Sequence, residues 1–249
     1  MVYKMRIFEI NQALKSSFQD LKQALVPGLQ DCLYCHLSIT PAEKSEHSHL
    51  ICNHCYQDLE HTDHQDSQHQ IVEPKFDRAF YPLDYGDTSK RLIQNLKQGV
   101  YCWSYLASEI LAHHLQVSLL DKLADGTPLY ISHIPMTKAK YRVRATNPAE
   151  VLAALVARQL KLKHLTNTII VNRPLGSQKL LSANARKDNV RQAFSCRADV
   201  EQTHWLIIDD VLTTGHTLNE AAGSLKQAGA EVVFVASLAR TPLDSPRQD

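Results

Sequence analysis

The sequence predicts an α/β protein, with a mostly parallel sheet buried on both faces and a small cysteine-rich module in front of it. Three observations carry this expectation. Short apolar runs alternate with helical segments through the second half of the chain. One of these runs, Trp205 to Asp209, is nearly continuous in hydrophobics, as strands covered on both faces are. Two Cys-x-x-Cys pairs lie close together ahead of these segments.

The whole chain is compatible with that class. Its 249 residues can bury a substantial core, in one domain with additions or in two. With 44% hydrophobic and 21% charged residues it resembles an ordinary folded protein, which argues against wholesale disorder. No apolar run approaches the roughly 20 residues that span a bilayer. The first residues mix charge and polar groups without the apolar stretch of a secretory signal, so a cytoplasmic location is expected. Net charge is only +1 but is unevenly spread. Leu129 to Val200 holds 13 Lys and Arg against Glu150, Asp188 and Asp199, which gives +10. That excess suits either a solvated surface or a groove for phosphates, on a small ligand or on nucleic acid.

From the front, Ile7, Ile10, Leu14, Phe18, Leu21 and Leu25 recur at steps of three and four and predict a packing helix that ends at Pro27-Gly28. Cys32-Leu-Tyr-Cys35 then precedes 16 residues and Cys52-Asn-His-Cys55. Each pair can present two thiolates to one tetrahedral ion, so Cys32, Cys35, Cys52 and Cys55 are expected to hold a structural zinc with no coordination site left for water. In a reducing compartment two disulfides are the weaker explanation. Cys102 and Cys196 read as small hydrophobes. His47 to His69, crowded with histidine, glutamine and acids, reads as solvated loop. Two helices follow, one from about Thr88 to Gln98 with Leu92, Ile93 and Leu96 inward, and one through Trp103, Leu106, Ile110, Leu111 and Leu115. Strands are expected at Leu129 to Ile134, Thr168 to Asn172, Trp205 to Asp209 and Val232 to Ser237. Helices are expected at Pro148 to Leu162 and Leu218 to Ala228. Asn147-Pro148 supplies an N-cap and a first-turn proline, Thr217-Leu-Asn-Glu220 has capping-box spacing, and Gly229 closes the last helix. Within this strand–helix region Arg173 to Gln202 is the one long irregular stretch. This divides the chain at residues 1–75 and 76–249, with 80–120 as connecting helices.

The candidate chemistry lies between Trp205 and Ala221. A buried strand runs into Asp209 and Asp210, and a Thr- and Gly-rich loop leads directly into a helix. Ligands of open α/β sheets collect at the carboxyl ends of strands, and a helix start offers backbone N–H groups to a phosphate. Thr213, Thr214 and Thr217 add hydroxyls, and Gly215 lets the backbone come close. The two acids can accept from vicinal sugar hydroxyls or hold Mg²⁺ through water.

Four hydrophobics, two acids and a TTG loop resemble the signature of type I phosphoribosyltransferases for 5-phosphoribosyl-1-pyrophosphate (PRPP). The resemblance implies that Asp209 and Asp210 bind the ribose hydroxyls while Thr213, Thr214, Gly215, His216 and Thr217 cradle its phosphate, with Mg²⁺ accompanying PRPP. Together with the cysteine pairs, the chain resembles the ComF family of competence-associated proteins, which includes GntX-like members. Leu96-Lys97 followed by Gly99, Arg144 with Asn147, and Gln178, Leu181, Arg186, Asn189 and Phe194 carry further likeness. The fold implied is a type I phosphoribosyltransferase-like parallel sheet with the four-cysteine zinc module in front. PRPP also needs a second anion site for its pyrophosphate. Thr137 and backbone N–H groups are candidates for direct contact, with charge from Lys138, Arg142, Arg144 and Arg186. Arg173 to Gln202 would then be a lid that excludes water.

The resemblance implies a role in natural competence and DNA uptake in the cytoplasm, alongside other competence proteins at the inner membrane. Two functions remain open. A transferase would displace pyrophosphate from the anomeric carbon with no side-chain nucleophile, and no acceptor stands out. A non-enzymatic, PRPP-responsive module would bind single-stranded DNA through the basic region, with Tyr130, Tyr141 and Phe194 as the available stacking aromatics.

Overall fold

The computed structural model of the protein describes residues 31–40, 42–62, 73–119, 128–172, 193–197 and 199–241. The expected N-terminal helix, residues 173–192 of the expected lid, and Arg186 lie outside them. A parallel sheet of six strands forms the centre: β3 (Arg78–Phe80), β4 (Leu83–Asp84), β5 (Leu129–His133), β6 (Lys163–His164), β9 (His204–Leu212) and β10 (Val232–Arg240). The order is β3-β10-β9-β5-β6, with β4 taking over from β3 beside β10.

The two longest strands sit in the middle because they are apolar on both faces. On β9, Leu206 and Ile208 join one core, whereas Trp205 and Ile207 join the other. The second core lies under α6 (His216–Gln227), through Leu218, Ala221, Ala222 and Leu225. The first core contains buried residues of α2 (Asp87–Lys97), α3 (Tyr101–Ser118) and α5 (Pro148–Gln159). It continues without a break into Cys32, Leu33, Leu50 and Ile51 of the cysteine module. That module folds as a small antiparallel pair, β1 (Lys44–Ser45) and β2 (Ser48–Cys52), followed by α1 (Asn53–Gln57).

Several expectations need correction. His47 to His69 is not plain loop, because β2 and α1 fall within it, and His47 is half-buried, stacked on Tyr56 at 4.4 Å and tilted against His113 at 4.3 Å. The apolar run near Thr168 does form a strand, β7 (Ile169–Val171), but outside the parallel sheet. It pairs antiparallel with β8 (Phe194–Cys196), which lies inside the stretch expected to be irregular. A run of Ile-Ile-Val suits either setting, and its partner decides. The sheet edge is instead the two-residue β6, too short to show a pattern.

The connection from β5 to α5 contains a short helix not expected from the sequence, α4 (Lys138–Arg144). Lys140, Tyr141, Arg142, Val143 and Arg144 are all exposed, so no apolar periodicity marks it. α5 starts as its sequence dictates, with Asn147 as N-cap and Pro148 in the first turn. α6 begins earlier than expected, at His216 with Gly215 as its N-cap, so Thr217 sits within the first turn and does not cap it.

Candidate functional site

Hydrogen bonds from the chain itself build the cysteine cluster. The Cys32 N–H donates to the carbonyl of Leu37 at 2.8 Å and the His36 N–H to that of Cys32 at 2.9 Å, curling the first pair into a knuckle. The second pair opens α1, with Cys52 as N-cap and its sulfur accepting from the Cys55 N–H at 3.5 Å. The four sulfurs lie within 4.8 Å of one another, and those of Cys35 and Cys52 are 3.9 Å apart. Zn–S bonds of about 2.3 Å in a tetrahedron separate sulfurs by about 3.8 Å, so the donor set and its size fit zinc. Burial raises the Cys32 thiol, but backbone N–H donors from Cys35, Cys52 and Tyr34 outweigh it and bring the group down to about 7. The knuckle's own amides thus favour a thiolate. Burial pushes the Cys55 thiol upward, a cost that a cation would reverse.

At the sheet, β9 runs farther than expected and includes both acids. Pairing between β5 and β9 ends with His133 opposite Ile208, and the Ile134 N–H donates to the Ile208 carbonyl at 3.0 Å. β10 accompanies β9 onward to Leu212. Asp209 and Asp210 therefore stand on a ledge flanked by β10 and left uncovered by β5. Pro135, which has no N–H to offer a ladder, follows where β5 stops.

The acids are tied to the backbone beside them. Asp209 Oδ1 accepts from the Asp210 N–H at 2.9 Å, and Asp210 Oδ1 from the Val211 N–H at 2.8 Å. Burial and the neighbouring Asp210 charge hold the Asp209 carboxyl well above the ordinary carboxylate range, despite the cation of Lys97 nearby. Two carboxylates that repel at close range are well matched to a divalent cation, so the acid pair fits Mg²⁺. Lys97 Nζ lies 3.5 Å from Asp210 Oδ2. Sequence reading did not assign Lys97 to the site; its one signal was the Leu96-Lys97-x-Gly99 likeness.

Beyond the acids the chain turns through exposed Thr213 and Thr214 into buried Gly215, whose φ of 72° lies in the left-handed region that glycine enters at no steric cost. α6 starts directly after this turn, with His216 exposed and Thr217 half-buried in its first turn. The loop carries three hydroxyls, a helix start and a close-approaching backbone, an arrangement that can hold a phosphate.

The second loop at this edge leaves β5 beside Ile208. Its neck is closed by buried Asn147, whose Nδ2 donates to the Ile134 carbonyl at 3.0 Å while Oδ1 accepts from the Ala149 N–H at 3.2 Å. Thr137, expected to touch pyrophosphate, caps α4 by accepting from the Lys140 N–H at 3.4 Å. Lys138 opens that helix, and Arg142 and Arg144 project from it, exposed. His133 and His164 meet at 3.0 Å where β5 and β6 end. Burial holds both imidazoles neutral, His133 down to about 3 and His164 to about 4. Of the three stacking candidates, Tyr130 packs on Trp205 at 5.3 Å and Phe194 is in the core, which leaves Tyr141 on the surface, 44% exposed.

The parallel sheet, its acid ledge and the loop beyond define a phosphoribosyltransferase-type domain, and the model of the phosphoribosyl transferase domain matches residues 147–248. The chain is 30% identical over 216 residues to DNA utilization protein YhgH of Escherichia coli K12, covering 84% of each chain. Against YhgH of Salmonella typhi it is 32% identical over 170 residues, 68% of this chain and 74% of that one. Competence protein F of Haemophilus influenzae is 26% identical over 223 residues, 84% of this chain and 96% of that one. The protein belongs to the ComF family. No described helix is long and apolar enough to cross a membrane.

Proposed function

We propose that this protein binds PRPP together with Mg²⁺ on the β9 ledge, in the service of DNA uptake or utilization in the cytoplasm. One observation carries the reading: a partly buried acid pair stands beside an open Thr-Gly turn at the carboxyl edge of a parallel sheet. Asp209 and Asp210 would take the ribose hydroxyls and hold Mg²⁺ through water. Thr213, Thr214, Gly215, His216 and Thr217 would take the 5-phosphate. The loop carrying Thr137, Lys138, Arg142 and Arg144 leaves the sheet one strand away, on the side where the pyrophosphate of a bound PRPP would lie. Mg²⁺ there would stabilise negative charge on pyrophosphate if it departs. The names of the relatives, DNA utilization protein and Competence protein F, support the cellular setting. Zinc in the four-cysteine centre would be structural, because four thiolates fill a tetrahedron.

Calorimetric titration with Mg²⁺ and PRPP tests this. The Asp209→Asn, Asp210→Asn double variant should lose at least about 100-fold in affinity, as expected when charge-assisted contacts and a cation site go together. Equal affinity in wild type and variant would remove the acids from the site.

A second reading, single-stranded DNA binding, draws on α4. A helix with basic residues throughout, no acid and an exposed tyrosine has the composition of a strand-binding surface. Changing Arg142 and Arg144 to Gln should flatten the salt dependence of strand binding by roughly 1.4 in log–log slope, at about 0.7 for each phosphate no longer neutralised. An unchanged slope would take α4 out of any DNA contact.

A further inference from the structure

The cysteine module and the acid ledge are far apart in sequence, yet one helix touches both. α2 is held at its start by the module and reaches the acid pair at its end. The Glu60 carboxylate, just after α1, accepts from the Thr88 and Ser89 N–H groups at 2.8 Å each, which caps the helix from the module side. A Cβ at Gly86 would lie 2.6 Å from that carboxylate, so glycine is what allows it so close. The Tyr34 hydroxyl donates to the Thr88 carbonyl at 3.3 Å.

Arg91 is the strongest link. Its guanidinium donates from Nη1 to the Tyr34 carbonyl at 2.9 Å and from Nη2 to that of Leu33 at 3.3 Å, the two residues between Cys32 and Cys35. It also lies over the rings of Tyr34 and Trp103, at 5.4 and 5.1 Å, and contacts His36 Nε2 at 3.2 Å. Six residues later, about 9 Å along the axis, the same helix ends at Lys97 beside Asp210. Leu92, Ile93 and Leu96 are buried between these two contacts, so the helix cannot turn or slide without disturbing the core.

We infer that Arg91 is a positioning residue: by fastening α2 to the cysteine knuckle it places the Lys97 ammonium against the acid pair, so an intact knuckle sets ligand affinity at the ledge. The knuckle then reaches the site through a rigid element and contributes no atom to it. A forked guanidinium suits this task because it can engage two carbonyls and two ring faces at once, which an ammonium cannot. The inference rests on the PRPP reading of the ledge for its effect on affinity, but not for its effect on Lys97.

Two measurements separate those parts. The first is amine acylation of the full-length protein followed by mass spectrometry, comparing Lys97 with exposed Lys90 on the same helix. Arg91→Gln, and chelation of the wild-type protein's metal, should each raise the Lys97-to-Lys90 labelling ratio about threefold or more, and Arg91→Lys should restore it only in part. An unchanged ratio under both treatments overturns the inference, whether or not PRPP binds. The second is a double-mutant cycle on Mg²⁺–PRPP affinity. Arg91→Gln should weaken binding about fivefold in the wild-type background and not at all in Lys97→Met, within the range for residues coupled through one network. Equal weakening in both backgrounds would show that Arg91 acts on general stability and not through Lys97. Absence of PRPP binding in the wild type would sink the proposed function while leaving the labelling result to decide the positioning role.

Discussion

The two loops at the carboxyl edge of the sheet stand side by side but are built on opposite plans. The β9–α6 turn is short, and its direction is set by one left-handed glycine between exposed threonines and a helix start. The β5–α5 connection is longer and is fastened at its neck by Asn147, while its helix α4 turns every described side chain after Thr137 outward. A site that must hold an anion in a fixed pose needs the first plan, because backbone N–H groups have to be in place beforehand. A surface that meets a larger, variable partner is served by the second, in which charge matters more than position.

The largest effect should come from the neck. Asn147→Ala removes the bond to the Ile134 carbonyl and the N-cap of α5 together, a loss of about 2–3 kcal/mol. Urea unfolding would register it as a lower midpoint with unchanged slope, and a shift worth less than about 1 kcal/mol would mean that something else holds the loop. Gly215→Ala should cost somewhat less, about 1–2 kcal/mol, because the left-handed backbone crowds a Cβ. The same unfolding measurement should pair that loss with weakened Mg²⁺–PRPP binding; a neutral result would show that the turn tolerates a side chain and is less fixed than the contrast requires.

A different kind of effect concerns pH. In the folded protein Asp209 titrates above its ordinary value of 3.8, so the folded state holds a proton that the unfolded state has released. Its favourable contribution is present in full below the ordinary value and is lost as pH rises through the raised one. Ligand-free Asp209→Asn avoids that loss. Its stability relative to wild type should therefore climb as pH rises, with little difference in acid. A gap that stays constant with pH would mean that the carboxyl titrates alike in the folded and unfolded states, and that the ledge is more open to water than its burial implies.

The sequence foretold the β9–α6 turn and the cysteine centre because each is marked by a local pattern: the residues of the turn are neighbours, and each Cys-x-x-Cys pair carries its geometry in its own spacing. α4 left no trace because periodicity records burial, and this helix buries nothing from Lys140 to Arg144. The antiparallel placement of Ile169 to Val171 depends on Phe194, 23 residues beyond Val171, and no local pattern reports a partner's direction. Lys97 was missed for the same reason, since Asp210 lies 113 positions away. The end of β9 was misread because two acids look like a terminus, whereas the ladder with β10 carries them on to Leu212.

The ledge has a consequence for self-association. A strand flank that its neighbour has stopped covering is a template on which another chain can add a strand, and proteins commonly blunt such flanks with charge. Asp209 and Asp210 occupy this one, so the carboxylates proposed as ligand contacts would also set charge against unwanted pairing. Light scattering from concentrated Asp209→Asn, Asp210→Asn protein should rise above that of wild type, and equal scattering would show that the flank is protected by other means.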